Sequence, residues 1–166
     1  MADIDKIYLV GFMGAGKSSV ARALGRRLGW RVDDVDERIE AREKQSVADI
    51  FRLRGEGYFR AVEREVLIGL LPARHSIVAT GGGTFVDPDN RARMLADGLV
   101  VWLDAPLETA IARVPRDGRR PLAADRARFT ELFWARRAAY ELAHVRIDAS
   151  RPIEEIVERL LDQVGW

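Results

Sequence analysis

The segment Gly11-Phe12-Met13-Gly14-Ala15-Gly16-Lys17-Ser18 constrains this chain more than any other. It fits G-x-x-x-x-G-K-[ST]. The apolar run Ile7-Tyr8-Leu9-Val10 before it and the helical spacing of Val20, Ala21, Leu24 and Leu28 after it supply the strand and helix such a loop needs. Glycines let the backbone wrap an anion closely, and the N–H groups that open the helix carry partial positive charge, so the loop cradles phosphates. Lys17 reaches the β and γ phosphates in this reading, Ser18 ligates Mg²⁺, and Gly14, Ala15, Gly16 and Ser19 complete the nucleotide cradle. With 14 glycines and only three lysines in the chain, the motif is expected by chance about 0.001 times. The residues therefore point to a nucleoside triphosphate site.

The rest of the chain reads as the sheet that carries this loop. At 166 residues it has the length of one domain, 1–166. Short apolar runs at Ser76–Ala79 and Leu99–Leu103, a further strand at His144–Ile147 and a weaker one near Arg31–Asp33 alternate with helical stretches, the last running from Pro152 through Leu161. Such runs belong to parallel strands covered on both faces, so the expected fold is α/β, a three-layer doubly wound sheet of about five parallel strands. Two excursions leave the sheet. Helical signal without a strand fills Ser46–Leu71, opened by a capping box at Ser46-Val47-Ala48-Asp49, with Gly55 and Gly57 expected to split it into two helices. Residues 115–125 are polar and turn-rich, and read as a mobile loop bearing Arg116, Arg119 and Arg120.

Composition narrows the function classes. No cysteine is present, which excludes disulfides, thiolate metal sites and a cysteine nucleophile; any metal must be held by oxygen. The formal net charge of +1 gives no field to draw nucleic acid or an anionic membrane. The N-terminus Met1-Ala2-Asp3-Ile4-Asp5-Lys6 carries acids where a signal peptide carries bases, and no apolar run approaches a bilayer span, so the expected address is the cytoplasm. A monomer is expected, since no exposed apolar helix face stands out.

The acceptor of the phosphate must be read from other residues, because one loop serves many chemistries. Asp34 and Asp36 stand where the second strand should end. In an extended segment they face one side, where one carboxylate orders metal-bound water and the other takes a substrate hydroxyl's proton; a solvated acidic turn, or a helix cap by Asp36, explains them equally well. Gly81-Gly82-Gly83 follows another strand at the same sheet edge, where a side-chain-free backbone either approaches a ligand or simply turns. Asp104 imitates a Walker-B aspartate, yet two residues before Pro106 it reads better as a helix cap. Arg60 and Arg136 are candidates to clamp a carboxylate with paired donors, and the arginines of the 115–125 loop to close over a phosphate and exclude water.

Taken in order, these motifs resemble the shikimate kinase family. The matching pieces are G-x-x-G-x-G-K-S at Gly11–Ser18, D-x-D at Asp34–Asp36, S-x-x-D-I-F at Ser46–Phe51 and G-E-x-x-F-R at Gly55–Arg60. They continue with G-G-G at Gly81–Gly83, R-P-L at Arg120–Leu122 and R-x-x-x-Y at Arg136–Tyr140, so nearly the whole chain is covered. The resemblance implies a nucleoside-monophosphate-kinase-like fold with an acceptor-binding excursion at about 34–61 and a lid at about 114–126. It implies transfer of the γ-phosphate of ATP to the 3-hydroxyl of shikimate, with Mg²⁺ as cofactor. Lys17, Asp36 and Arg120 are then the catalytic residues, and Ser18 and Asp34 serve the metal. Asp36, Arg60, Gly81, Gly82, Gly83 and Arg136 hold shikimate, while Arg113, Arg120 and Arg151 contact ATP. A kinase for another small hydroxy acid such as gluconate, or a silent nucleotide-binding regulator, are the competing readings. The chain departs from the family's R-P-L-L and R-x-P-L-Y patterns at Ala123 and at Arg137-Ala138-Ala139, where bulk rather than the lid or clamp charge is changed.

Overall fold

A computed structural model describes residues 3–113 and 126–166. The loop read as a lid, with Arg116, Arg119 and Arg120, lies outside the described residues. Five parallel strands form one sheet in the order β2-β3-β1-β4-β5: β1 (Lys6–Val10), β2 (Arg31–Asp34), β3 (Ser76–Ala79), β4 (Leu99–Asp104) and β5 (Val145–Asp148). Side chains alternate across it, as strand geometry requires. Tyr8, Val10, Val78, Val100 and Trp102 feed one core, while Ile7, Leu9, Ile77, Val101 and Leu103 feed the other. The helices α1 (Lys17–Leu28) and α7 (Ile153–Val164) cover the second face. Against the first lie α2 (Val35–Glu43), α3 (Val47–Leu70), α4 (Pro88–Asp97), α5 (Leu107–Arg113) and α6 (Arg126–Tyr140). This is the expected three-layer α/β arrangement.

The strand order fixes where a ligand goes. The connection leaving β1 runs toward β2 and the one leaving β3 runs toward β4, so the chain parts in opposite directions from two neighbouring strands. A crevice opens at their carboxyl ends. The phosphate loop follows β1 and the triple glycine follows β3, so both rim this crevice.

Local chemistry explains the boundaries, including three that differ from expectation. The helical excursion breaks once, at Gly55, whose φ of 84° no helix accommodates, whereas Gly57 continues the helix. Asp34, not Asp36, caps α2: its Oδ1 accepts from the Glu37 N–H at 3.1 Å, which leaves Asp36 in the first helical turn rather than in an extended segment. Asp104 caps nothing, because its carboxylate is taken by Arg137 Nη1 at 2.8 Å and by Arg146 Nε at 2.8 Å. Helix α4, the helical stretch between β3 and β4, starts with Pro88 at its first position and the Asp87 carboxylate accepting from Asp89 and Asn90 N–H groups. No helix among the described residues is long and apolar enough to cross a membrane.

Candidate active site

The phosphate loop joins β1 to α1 with the geometry its function demands. Gly14 has φ of 81°, and a Cβ there would lie 2.8 Å from the Ala110 carbonyl oxygen, so the loop closes this tightly only because the residue is glycine. No side chain caps α1 and its first turn has no acid, so the opening donors of the helix are left to an anion. Lys17 is buried and folds back over the loop, donating to the carbonyls of Gly11 at 2.6 Å and Phe12 at 2.9 Å. Ser18 Oγ donates to Asp34 Oδ2 at 2.5 Å, which brings the two residues assigned to the metal together. A polar cavity of ≈ 370 Å³ lies here. Gly14, Gly16, Lys17, Ser18, Ser19, Asp34 and Arg113 line one side of it. Ala15 is packed into the core beneath, its N–H donating to the Phe12 carbonyl.

A second cavity of ≈ 170 Å³ lies beside it, with a shared wall formed by Met13, Asp36, Gly81 and Gly82. Its sides are apolar, from Val47, Phe51 and Phe59, and its base carries Arg60, Glu63 and Arg136. Three successive glycines organise the charged groups. A Cβ at Gly81 would lie 2.8 Å from Asp36 Oδ1, one at Gly82 2.9 Å from Arg136 Nη1, and one at Gly83 2.5 Å from the Arg60 guanidinium. Each glycine thus makes room for one of the three side chains expected to hold the acceptor.

The electrostatics of the two arginines differ. Arg60 is held by Glu63, whose Oε1 receives Arg60 Nη1 at 2.9 Å while its Oε2 accepts from the Thr84 hydroxyl at 2.9 Å. Glu63 is wholly buried, and burial pushes its pKa up against the pull of Arg60. Arg136 is buried over the Phe12 ring and has no carboxylate within salt-bridge distance among the described residues. Burial, helped by the nearby Arg60, lowers its pKa. The Tyr140 hydroxyl and the more distant Glu63 offset this in part, and a carboxylate entering the cavity would complete the compensation of the buried cation. The neighbouring Arg137 points elsewhere, against Asp104 and the Trp102 ring, so of this pair Arg136 is the one that faces the cavity.

Other candidates fall on the nucleotide side or away from both cavities. Arg113 donates to the Gly14 carbonyl at 3.2 Å. Arg151, in the turn after β5, pairs with Asp148 at 3.9 Å and Glu155 at 3.6 Å and lines neither cavity. Glu63 was not singled out in the sequence, although the Arg60-x-x-Glu63 spacing on one helix face signals it.

Comparison with known proteins agrees with this geometry. The family model for shikimate kinase matches residues 13–165. A curated shikimate kinase from Persephonella marina is 41% identical over 160 residues, covering 95% of this chain and 98% of that one. The chain belongs to the shikimate kinase family. The structure of shikimate kinase from Acinetobacter baumannii in complex with shikimate superposes with a TM-score of 0.93 at 34% identity, over 98% of this chain and 93% of that chain. A deoxyadenosine kinase from M. mycoides, with TM-score 0.67 and 16% identity over 98% of this chain and 100% of its own, shares the fold alone. The two cavities of this shikimate kinase family member therefore sit on a scaffold common to P-loop kinases.

Proposed function

We propose that this chain transfers the γ-phosphate of ATP to the 3-hydroxyl of shikimate, giving shikimate 3-phosphate and ADP. The observation that carries the reading is the wall common to the two cavities. Asp36, Gly81 and Gly82 border both the phosphate cradle and a small pocket holding two guanidiniums. The known relative bound to shikimate supports the choice of acceptor. Arg60 and Arg136 take the carboxylate, the apolar sides accept the ring, and Asp36 stands on the common wall to receive the hydroxyl proton. The hydroxyl oxygen bonds to the γ-phosphorus as the bond to the bridging oxygen breaks, and ADP leaves with that oxygen. Lys17 turns from its own loop carbonyls to the phosphates, an exchange of neutral acceptors for anionic ones.

The oxygen donors of Ser18 and Asp34 fit Mg²⁺, which takes few protein ligands alongside phosphate and water. When bound it neutralises charge on the β and γ oxygens. Arg113, Arg120 and Arg151 are assigned to ATP, with Arg120 assigned on its R-P-L motif alone. In this reading 34–61 is the acceptor-binding excursion and 114–126 the lid of a single domain, and the enzyme works as a cytoplasmic monomer on small molecules. ADP release by the purified chain with Mg²⁺ and ATP tests it. Stimulation is expected from shikimate and not from gluconate or quinate; stimulation by gluconate alone would replace the acceptor, and none at all would leave a nucleotide-binding regulator.

A further inference from the structure

We infer that Tyr140 is a positioning residue for the acceptor, pinning the glycine turn against which Asp36, Arg136 and Arg60 rest. Its hydroxyl donates to the Gly82 carbonyl oxygen at 2.5 Å, across 58 residues of sequence, from a side chain 1% exposed. A peptide group is planar and trans, so its C=O and the following N–H point in opposite directions. Holding the Gly82 oxygen therefore fixes the orientation of the Gly83 N–H as well. Within the turn, Gly81 N–H donates to Thr84 Oγ1 at 3.0 Å and Thr84 N–H to the Gly81 carbonyl at 3.3 Å, while Thr84 at its end is tied to Glu63 of α3 and Asn90 of α4. Tyr140 is the tie that reaches the turn from α6, the helix that also carries Arg136 one turn earlier.

That shared origin matters for geometry. Residues four apart on a helix lie on one face, so Tyr140 and Arg136 address Gly82 together, one at its carbonyl and one at its Cα. A slip of the turn would change the separation of the two guanidiniums and with it their match to a carboxylate. The donor is dependable, because burial pushes the phenol up to about 12 and keeps the hydroxyl protonated across the working range. Trp102, with its ring 6.0 Å from that of Tyr140, backs the phenol from β4.

The inference rests on the acceptor proposed above, and Tyr140→Phe in the full chain tests it. Removing one hydroxyl leaves the ring packing in place, the Gly82 carbonyl without its donor and the Arg136 guanidinium without its phenol partner. The expected result is a rise of about tenfold in the KM for shikimate, with the KM for ATP and kcat changed less than about twofold. Calorimetric titration with shikimate in the absence of ATP should show the same loss, and it counts only binding-competent protein should the variant fold poorly. An unchanged shikimate KM in Tyr140→Phe overturns the assignment. So does a loss confined to kcat, or shared equally by ATP, since that marks general packing. If the unmodified chain shows no shikimate-dependent ADP release, the acceptor itself is wrong, an outcome distinct from an active wild type with an indifferent variant.

Discussion

Asp36 occupies the first turn of α2, within reach of both cavities and behind Gly81, which places one carboxylate at the junction of donor and acceptor. Positioned proton acceptors contribute about 10²–10⁴-fold to rate, whereas in the proposed reaction ATP is gripped mainly by the loop backbone and Lys17. Asp36→Asn should therefore cut turnover by about 10²–10³-fold while nucleotide affinity, read from titration with ADP, stays within about twofold. Retention of most activity would remove Asp36 from the proton path. The role of such a residue was only half legible in the sequence. D-x-D gives the chemistry, but which of the two carboxylates caps α2 depends on where the strand stops. That stop is set by pairing with β3 up to Asp34 opposite Ala79. Arg136 and Arg137 show the same limit, since adjacent helical residues are separated only by the rotation of α6. Tyr140, Phe129 and Phe133 set that rotation through tertiary packing.

At the level of elements, β1, β3 and β4 announce themselves because both faces are covered and every residue can be apolar. β2 lies at the sheet edge and shows a single apolar residue, Val32. Helix α3 has a less obvious anchor. The wholly buried Lys6 donates from β1 to the carbonyls of Leu70, Leu71 and Ala73 at the helix C-terminus, and pairs with Asp97 at 3.3 Å. A lysine beside an apolar run reads as a strand boundary, so its capping of an element 64 residues away is invisible in sequence. Lys6→Met would strip the buried ammonium from these carbonyls, while Asp97 keeps Arg74 at 2.7 Å and the Tyr8 hydroxyl at 2.5 Å. The expected loss is that of a charged hydrogen-bond donor, about 1.5–3 kcal/mol, or roughly 3–12 °C in Tm for a chain of this size, measured by thermal denaturation. A change of a degree or two would mean that water replaces the ammonium.

For the whole molecule, the proposed reaction has two ligands meet in the crevice set by the strand order while each is held by different elements, the nucleotide by the loop between β1 and α1, the acceptor by α2, α3 and α6. Binding of shikimate should thus stabilise the fold without ATP. At about 100 times Kd it adds about 2.7 kcal/mol, a Tm rise of about 5–10 °C, whereas gluconate at equal concentration should give none. The three glycines have a different consequence, one for how variants are screened. A side chain at Gly81, Gly82 or Gly83 meets the movable tips of Asp36, Arg136 and Arg60, which the fold could displace at small cost. Variants there would survive folding and quality control yet lose the groups that grip the acceptor. A screen for abundant, well-folded protein would therefore pass such variants, whereas a screen for shikimate-dependent ADP release would reject them.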